Sequence, residues 1–136
     1  MAAITEQDVR AWFDELVACV AAVDYPRGRT LFASDAIGFG TYGAMLEGLD
    51  SLQSGQWQNI WPRTRDFAFR PDSIRWGADG ETAWGLGLWT STGFDPEGKP
   101  FPRYGRATVI FARRQGRLVA LHTHLSLDPR PSATNY

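Results

Sequence analysis

An α+β domain is what the pattern of this chain predicts, on three observations. Apolar residues recur at helical spacing before Thr64 and alternate with polar ones after it. Two glycine-bearing turns, Asp79-Gly80 and Gln115-Gly116, separate alternating runs. Helices first and strands afterwards is the order of an α+β plan rather than of βαβ units. With 136 residues, 43% of them hydrophobic and 21% charged, the chain can build one core and is too apolar to stay disordered. A single domain over residues 1–136 is expected, with 130–136 (RPSATNY) a loose tail.

Thr5 followed by Asp8 resembles a capping box, with Asp standing in for the usual Glu or Gln. Val9, Trp12, Phe13, Leu16, Val20 and Val23 then repeat at helical spacing, predicting an amphipathic helix that ends before Pro26. Pro26 suits the first turn of a short second helix reaching Phe32. A brief strand at 36–39 and a third helix at 46–61, stopped by Pro62, complete the first half. Short strands are then expected at 66–69 and 73–76, the second ending in the Asp79-Gly80 turn. Long strands at 81–92 and 101–113 flank a polar turn at 95–98, and a strand at 118–127 closes an antiparallel meander.

Composition excludes several classes of function. A net charge of −1 leaves no electrostatic footprint for nucleic acid or an anionic membrane. The single Cys19 rules out an internal disulfide framework and a multi-cysteine metal site, which suits a reducing cytoplasm. MAAITEQDVR has no apolar stretch behind a basic one, so no secretory signal is expected. No apolar run approaches the roughly 18 residues of a membrane helix. Six tryptophans and eight phenylalanines are many for a domain of this size, and some are expected to line a cavity or an interface.

Leu31-Phe32-Ala33-Ser34-Asp35-Ala36, Trp89-Thr90-Ser91-Thr92-Gly93, Gly105-Arg106-Ala107-Thr108 and His122-Thr123-His124-Leu125-Ser126 together carry a family resemblance. The chain resembles the SnoaL-like branch of the nuclear transport factor 2 superfamily over roughly Thr5 to Pro129. That resemblance implies a cone: three N-terminal helices packed on a strongly bent antiparallel sheet, commonly paired into a homodimer. It leaves the chemistry open, because the superfold hosts isomerases, dehydratases, cyclases and non-catalytic scaffolds. Where the ketosteroid isomerase relatives place a base, a tyrosine and a protonated aspartate, this sequence has Gly40, Cys19, and Thr108 or Val109. The chain is also similar to the association, or hub, domain of calcium/calmodulin-dependent kinase. The pocket arginines of that domain fall here on Trp89, Val109 and Leu125. The resemblance therefore implies a cavity that prefers a small uncharged apolar or aromatic ligand and rejects short carboxylic acids.

Candidate residues follow. Trp57, Trp61, Phe67, Phe69, Trp89, Val109, Phe111 and Leu125 are the expected ligand-binding lining, or else an ordinary packed core. In the last strand Val119, Leu121, Thr123, Leu125 and Leu127 are expected to face the helices, with His122, His124 and Ser126 on the outer, dimer-forming face. The two histidines could be structural, a proton-transfer pair or metal ligands; without a third ligand nearby, no metal is expected. Asp35, Asp66, Arg103 and Tyr104 are the polar groups placed near the cavity mouth. His124, Asp66 and Tyr104 are the candidate catalytic acid and base residues for cofactor-free cyclisation, dehydration or isomerisation. Gly38-Phe39-Gly40-Thr41-Tyr42-Gly43 matches a dinucleotide fingerprint but lacks its βαβ setting, so its glycines are expected to serve a turn and no cofactor is expected. The competing function is a non-catalytic oligomerisation domain.

Overall fold

The first helix, α1 (Glu6–Ala22), begins where the capping box predicts. The Asp8 amide donates to Thr5 Oγ1 at 3.2 Å and the Thr5 amide to Asp8 Oδ2 at 2.9 Å, satisfying two otherwise orphaned donors. It ends at Val23, which takes a left-handed φ of 50°, uncommon for a β-branched residue. Asp24 then caps the short α2 (Tyr25–Arg29). The computed structural model describes residues 2–129, and the expected tail at 130–136 lies outside the described residues. One face of α1 buries Val9, Trp12, Phe13, Leu16, Cys19 and Val20. Each large apolar side chain there contributes about 1.5–3 kcal/mol. The Trp12 indole donates to the Leu31 carbonyl at 2.8 Å and so fixes α1 over the first strand.

Among the described residues seven strands follow: β1 (Phe32–Phe39), β2 (Leu46–Glu47), β3 (Arg65–Phe69), β4 (Arg75–Asp79), β5 (Thr82–Phe94), β6 (Pro100–Arg114) and β7 (Arg117–Leu127). Their order is β2-β1-β7-β6-β5-β3, with β4 pairing the other end of β5. The expected antiparallel meander holds from β4 to β7, with β3 pairing β5 rather than β4, but the sheet is mixed, because β1 runs parallel to β7. The helices between β1 and the meander return the chain so that β1 meets β7 in that sense.

Two further expectations change. The helix expected at 46–61 is broken into several pieces. Leu46 belongs to β2, and then come α3 (Leu49–Leu52), a π-helical turn (Gln53–Trp57), α4 (Gln58–Ile60) and a 3-10 turn (Trp61–Arg63) that Pro62 helps to start rather than stop. The predicted strand at 73–76 begins only at Arg75, because Pro71–Ser73 form a 3-10 turn.

Both hairpins form. At the second, Gln115 and Gly116 have φ of 54° and 75°, the pattern of a type I′ turn. At the first, Asp79 pairs with Thr82, so the loop residues are Gly80 and Glu81, one step later than expected. Beside the second hairpin, Arg113 donates to the Ala2 carbonyl and lies 3.9 Å from both Asp8 and Glu81. No helix among the described residues is long and apolar enough to cross a membrane.

A β-bulge in β7 corrects the expected sheet faces. Ile110 pairs with His122 but Phe111 with Ala120, so Leu121 is the extra residue and the alternation changes phase. Beyond the bulge Thr123 and Leu125 face the helices as expected. Before it, Leu118 and Ala120 join the main core cluster in place of Val119 and Leu121, although Val119 is buried outside that cluster; Leu127, expected to face the helices, is exposed.

Candidate functional site

The inner face of the sheet is set by phase. In β5 Ala83, Gly85, Gly87, Trp89, Ser91 and Gly93 are buried; in β6 Gly105, Ala107, Val109 and Phe111 are buried, with Arg103 half-buried in the same phase. Between this face and the broken helical segment lies a cavity of about 60 Å³. That is room for about two waters, and the cavity is partly open, so a larger ligand can rest in it without being fully enclosed.

Aromatic rings build its walls. Trp57 and Trp61, one helical turn apart, stack at 4.7 Å and 14°. Phe67 leans on Trp89 across the β3–β5 pair, with ring centres 5.9 Å apart. Leu16, Val20 and Phe32 supply the floor from α1 and β1, and Ile60 and Leu125 complete the apolar lining. Trp89 is held firmly: its indole N–H donates to the Arg106 carbonyl at 3.2 Å, and its ring lies over Gly105. A Cβ at residue 105 would fall 2.1 Å from that ring.

Six polar side chains face the same space: Thr41, Gln56, Thr64, Ser91, Arg103 and Thr123. The π-helical turn puts the adjacent residues Gln56 and Trp57 both on the buried side, and its signature bond runs from the Gln58 amide to the Gln53 carbonyl. The Gln56 amide rests on bare backbone, since a Cβ at Gly40 would fall 2.4 Å from Nε2. This explains part of the glycine motif: Gly38 and Gly40 make room for Leu52 and Gln56, and a short strand rather than a helix follows. Two buried oxygens, Gln56 Oε1 and Ser91 Oγ, have no protein hydrogen-bond partner. Arg103 donates through Nη2 to Thr41 Oγ1 at 3.0 Å and lies 5.6 Å over the Trp89 ring. Burial pushes its pKa down, though arginine remains charged.

Among the candidate ligand-binding residues, Trp57, Trp61, Phe67, Trp89 and Leu125 line the cavity. Phe69, Val109 and Phe111 do not. Phe69 packs on Phe13 at 4.6 Å, and Val109 and Phe111 are sealed in the core beneath. The three candidate catalytic residues also lie elsewhere. His124 is exposed on the outer face of β7, edge-on to Phe39. Tyr104 is 55% exposed on β6, in the phase opposite to Arg103. Asp66 is exposed at a register shift in β3, with φ of 57°, a conformation that Asp tolerates. His122 donates through Nδ1 to the Ile37 carbonyl at 2.7 Å, since a carbonyl can only accept. Asp35 sits on the exposed side of β1, 3.8 Å from Arg114 and away from the cavity. Among the described residues no three His, Cys, Asp or Glu side chains gather as metal ligands.

Gln56 and Ser91 were not picked out from sequence. Ser91 was legible, since it shares the phase of Trp89 in a regular strand. Gln56 was not, because only the π-helical turn brings it inward.

A profile of the SnoaL-like domain matches residues 9–129. The chain belongs to the SnoaL-like domain family. No curated protein matches this SnoaL-like domain in sequence. Among solved structures it is similar to a protein of Xanthomonas campestris described as a calcium/calmodulin dependent protein kinase II association domain. That match has 19% identity, covers 94% of this chain and 91% of the other, and has a TM-score of 0.81. A nuclear transport factor 2-like superfamily protein of Salmonella enterica matches with 14% identity, 96% and 95% coverage and a TM-score of 0.81. A ketosteroid isomerase-like protein of Erwinia carotovora atroseptica matches with 13% identity, 93% and 100% coverage and a TM-score of 0.78. At these identities the likeness establishes the nuclear transport factor 2-like fold.

Proposed function

We propose that this SnoaL-like domain binds a small molecule with a compact aromatic or apolar body in the tryptophan-walled cavity, and that it works by binding rather than by proton transfer. The observation that carries this reading is the lining itself. Among the described residues that face the cavity, Arg103 alone is ionisable, and no carboxylate, histidine, cysteine, tyrosine or lysine joins it. General acid–base catalysis needs a group that titrates near the working pH, and a guanidinium does not. Calorimetric titration with benzyl alcohol tests the binding. Uptake that Trp57→Ala abolishes supports the reading, and no heat at millimolar concentration with either benzyl alcohol or benzoate refutes it. An enone absorbance assay with a 3-keto-Δ5-steroid is expected to record no isomerisation, and turnover lost on mutating a cavity residue would contradict the exclusion of proton transfer.

A second reading is self-association, favoured by the outer face of the sheet. Trp84 and Ile110, cross-strand partners, are 44% and 43% exposed there, and Tyr104 on β6 is 55% exposed. Solved structures of similar fold include proteins described as association domains. The two readings are compatible, because they use opposite faces of one sheet.

A further inference from the structure

The strands place Arg103 and Ser91 directly opposite one another, as Cα partners in the β5–β6 pairing, with both side chains on the cavity side. Cross-strand partners of this kind have Cβ atoms about 4.5–5.5 Å apart, so one small group can touch both side chains. Neither is satisfied by the protein. Ser91 is 6% exposed, and its buried hydroxyl has no partner. Arg103 uses one N–H toward Thr41 and offers its ring-facing surface to Trp89. A guanidinium has five N–H donors, so most remain for another acceptor. Burial is the sole cause of its lowered pKa, and no carboxylate among the described residues offsets it.

Among the described residues the half-buried cation has no carboxylate partner and the buried hydroxyl no hydrogen-bond partner, and both face one aromatic cavity; together they call for an occupant that supplies acceptor oxygens and negative charge. We propose that the ligand is a small carboxylic acid bound as its anion, with the carboxylate between Arg103 and Ser91 and its aromatic or compact apolar body against Trp57, Trp61 and Phe67. One guanidinium matches one carboxylate by a forked pair of N–H donors. This rests on the cavity being a small-molecule site and adds its charge preference. It replaces the sequence-based expectation that short carboxylic acids are rejected, because that expectation compared three positions and Arg103 is a fourth. Arg103 reaches the cavity through its phase in β6, while Arg106, in the opposite phase, stays outside.

Benzoate and benzyl alcohol are matched probes, the same ring with and without the charge. Titration calorimetry of the intact protein should find benzoate bound about tenfold or more tightly than benzyl alcohol, the scale of hydrogen bonds to a charged partner. Arg103→Gln and Arg103→Met should both erase that preference, weakening benzoate far more than benzyl alcohol. Arg103→Met keeps the long side chain and removes an unpaired charge, so its melting temperature should equal or exceed that of the wild type, separating lost recognition from lost fold. Ser91→Ala should weaken benzoate and not benzyl alcohol. Benzoate affinity should also fade as pH falls through the usual carboxylate range near about 4, where the ligand is neutralised. Equal or tighter binding of benzyl alcohol by the wild type would overturn the carboxylate proposal and leave the small-molecule reading standing. Binding of neither probe would overturn both.

Discussion

Replacing Gly105 with alanine brings together everything that holds the cavity wall. The added Cβ would lie 2.1 Å from Trp89 Cζ2, 2.2 Å from Cε2 and 2.4 Å from the Ser126 carbonyl oxygen. The backbone cannot retreat easily, because Gly105 pairs with Leu127 and the Asp128 amide donates to the Tyr104 carbonyl at 2.9 Å beside it. Nor can the ring, which is tethered to the Arg106 carbonyl and covered by Arg103. If the indole swings away it forfeits a hydrogen bond of about 1 kcal/mol and a cation–π contact of about 0.5–1 kcal/mol. If it stays, overpacking costs about 1–3 kcal/mol. A loss of about 2 kcal/mol is the expected outcome, against a total stability of about 5–15 kcal/mol. For a domain of this size the melting temperature should fall by about 7 °C. Thermal melts followed by circular dichroism measure it, with a red shift of tryptophan emission as the indole meets water. Gly98→Ala is the control: it has a positive φ of 83° but nothing within 4 Å, so it should cost only backbone strain of about 1 kcal/mol. A Gly105→Ala protein that melts within about 2 °C of the wild type with unchanged emission would refute the placement of Trp89.

Three further outcomes are expected. His124→Ala, Asp66→Ala and Tyr104→Phe should each leave benzyl alcohol affinity within about twofold, since none of the three faces the cavity; a loss of about tenfold in any of them would return that residue to the site. Burial raises the Cys19 thiol above its ordinary value of 9.0, so the folded state holds its proton more tightly than the unfolded chain. The stabilising contribution is therefore complete below that value and is lost as pH rises from it through the raised value of the folded state, and urea denaturation at about pH 8 and about pH 10 should reveal a larger drop for the wild type than for Cys19→Ala. Sedimentation at micromolar concentration should report a dimer or larger, and Ile110→Asp on the outer face should convert it to monomer; a monomeric wild type would remove the self-association reading.

The parts of this fold that could be read in sequence are those fixed by local chemistry. Thr5 and Asp8 satisfy each other's amides whatever the rest of the chain does, and Gln115-Gly116 takes the two positive φ values that a tight hairpin needs. Long-range geometry was less legible. Leu121 looks like any inward residue of an alternating strand until Phe111 pairs with Ala120 and makes it a bulge. The parallel partnership of β1 with β7 joins segments with most of the chain between them, and no local pattern encodes its direction. The helix expected at 46–61 failed because apolar spacing does not distinguish α from π turns, and the π turn is what carries Gln56 inward. The candidate catalytic residues were chosen by residue type, and type says nothing of which face a side chain takes. Arg103 could have been placed by phase alone, since it alternates in step with Gly105, Ala107 and Val109.

The six tryptophans give the most direct test of the central claim, because each indole N–H is a separate probe at a known place. A proton–nitrogen correlation spectrum of the labelled protein, with indole signals assigned by single Trp→Phe variants, should be recorded during a titration with benzyl alcohol. The cavity account predicts that the signals of Trp57, Trp61 and Trp89, all of which line the cavity, move together along one saturating curve. Trp76 and Trp84, which do not line it, should stay where they are. Movement confined to Trp76 or Trp84, or none at any concentration the protein tolerates, would contradict it.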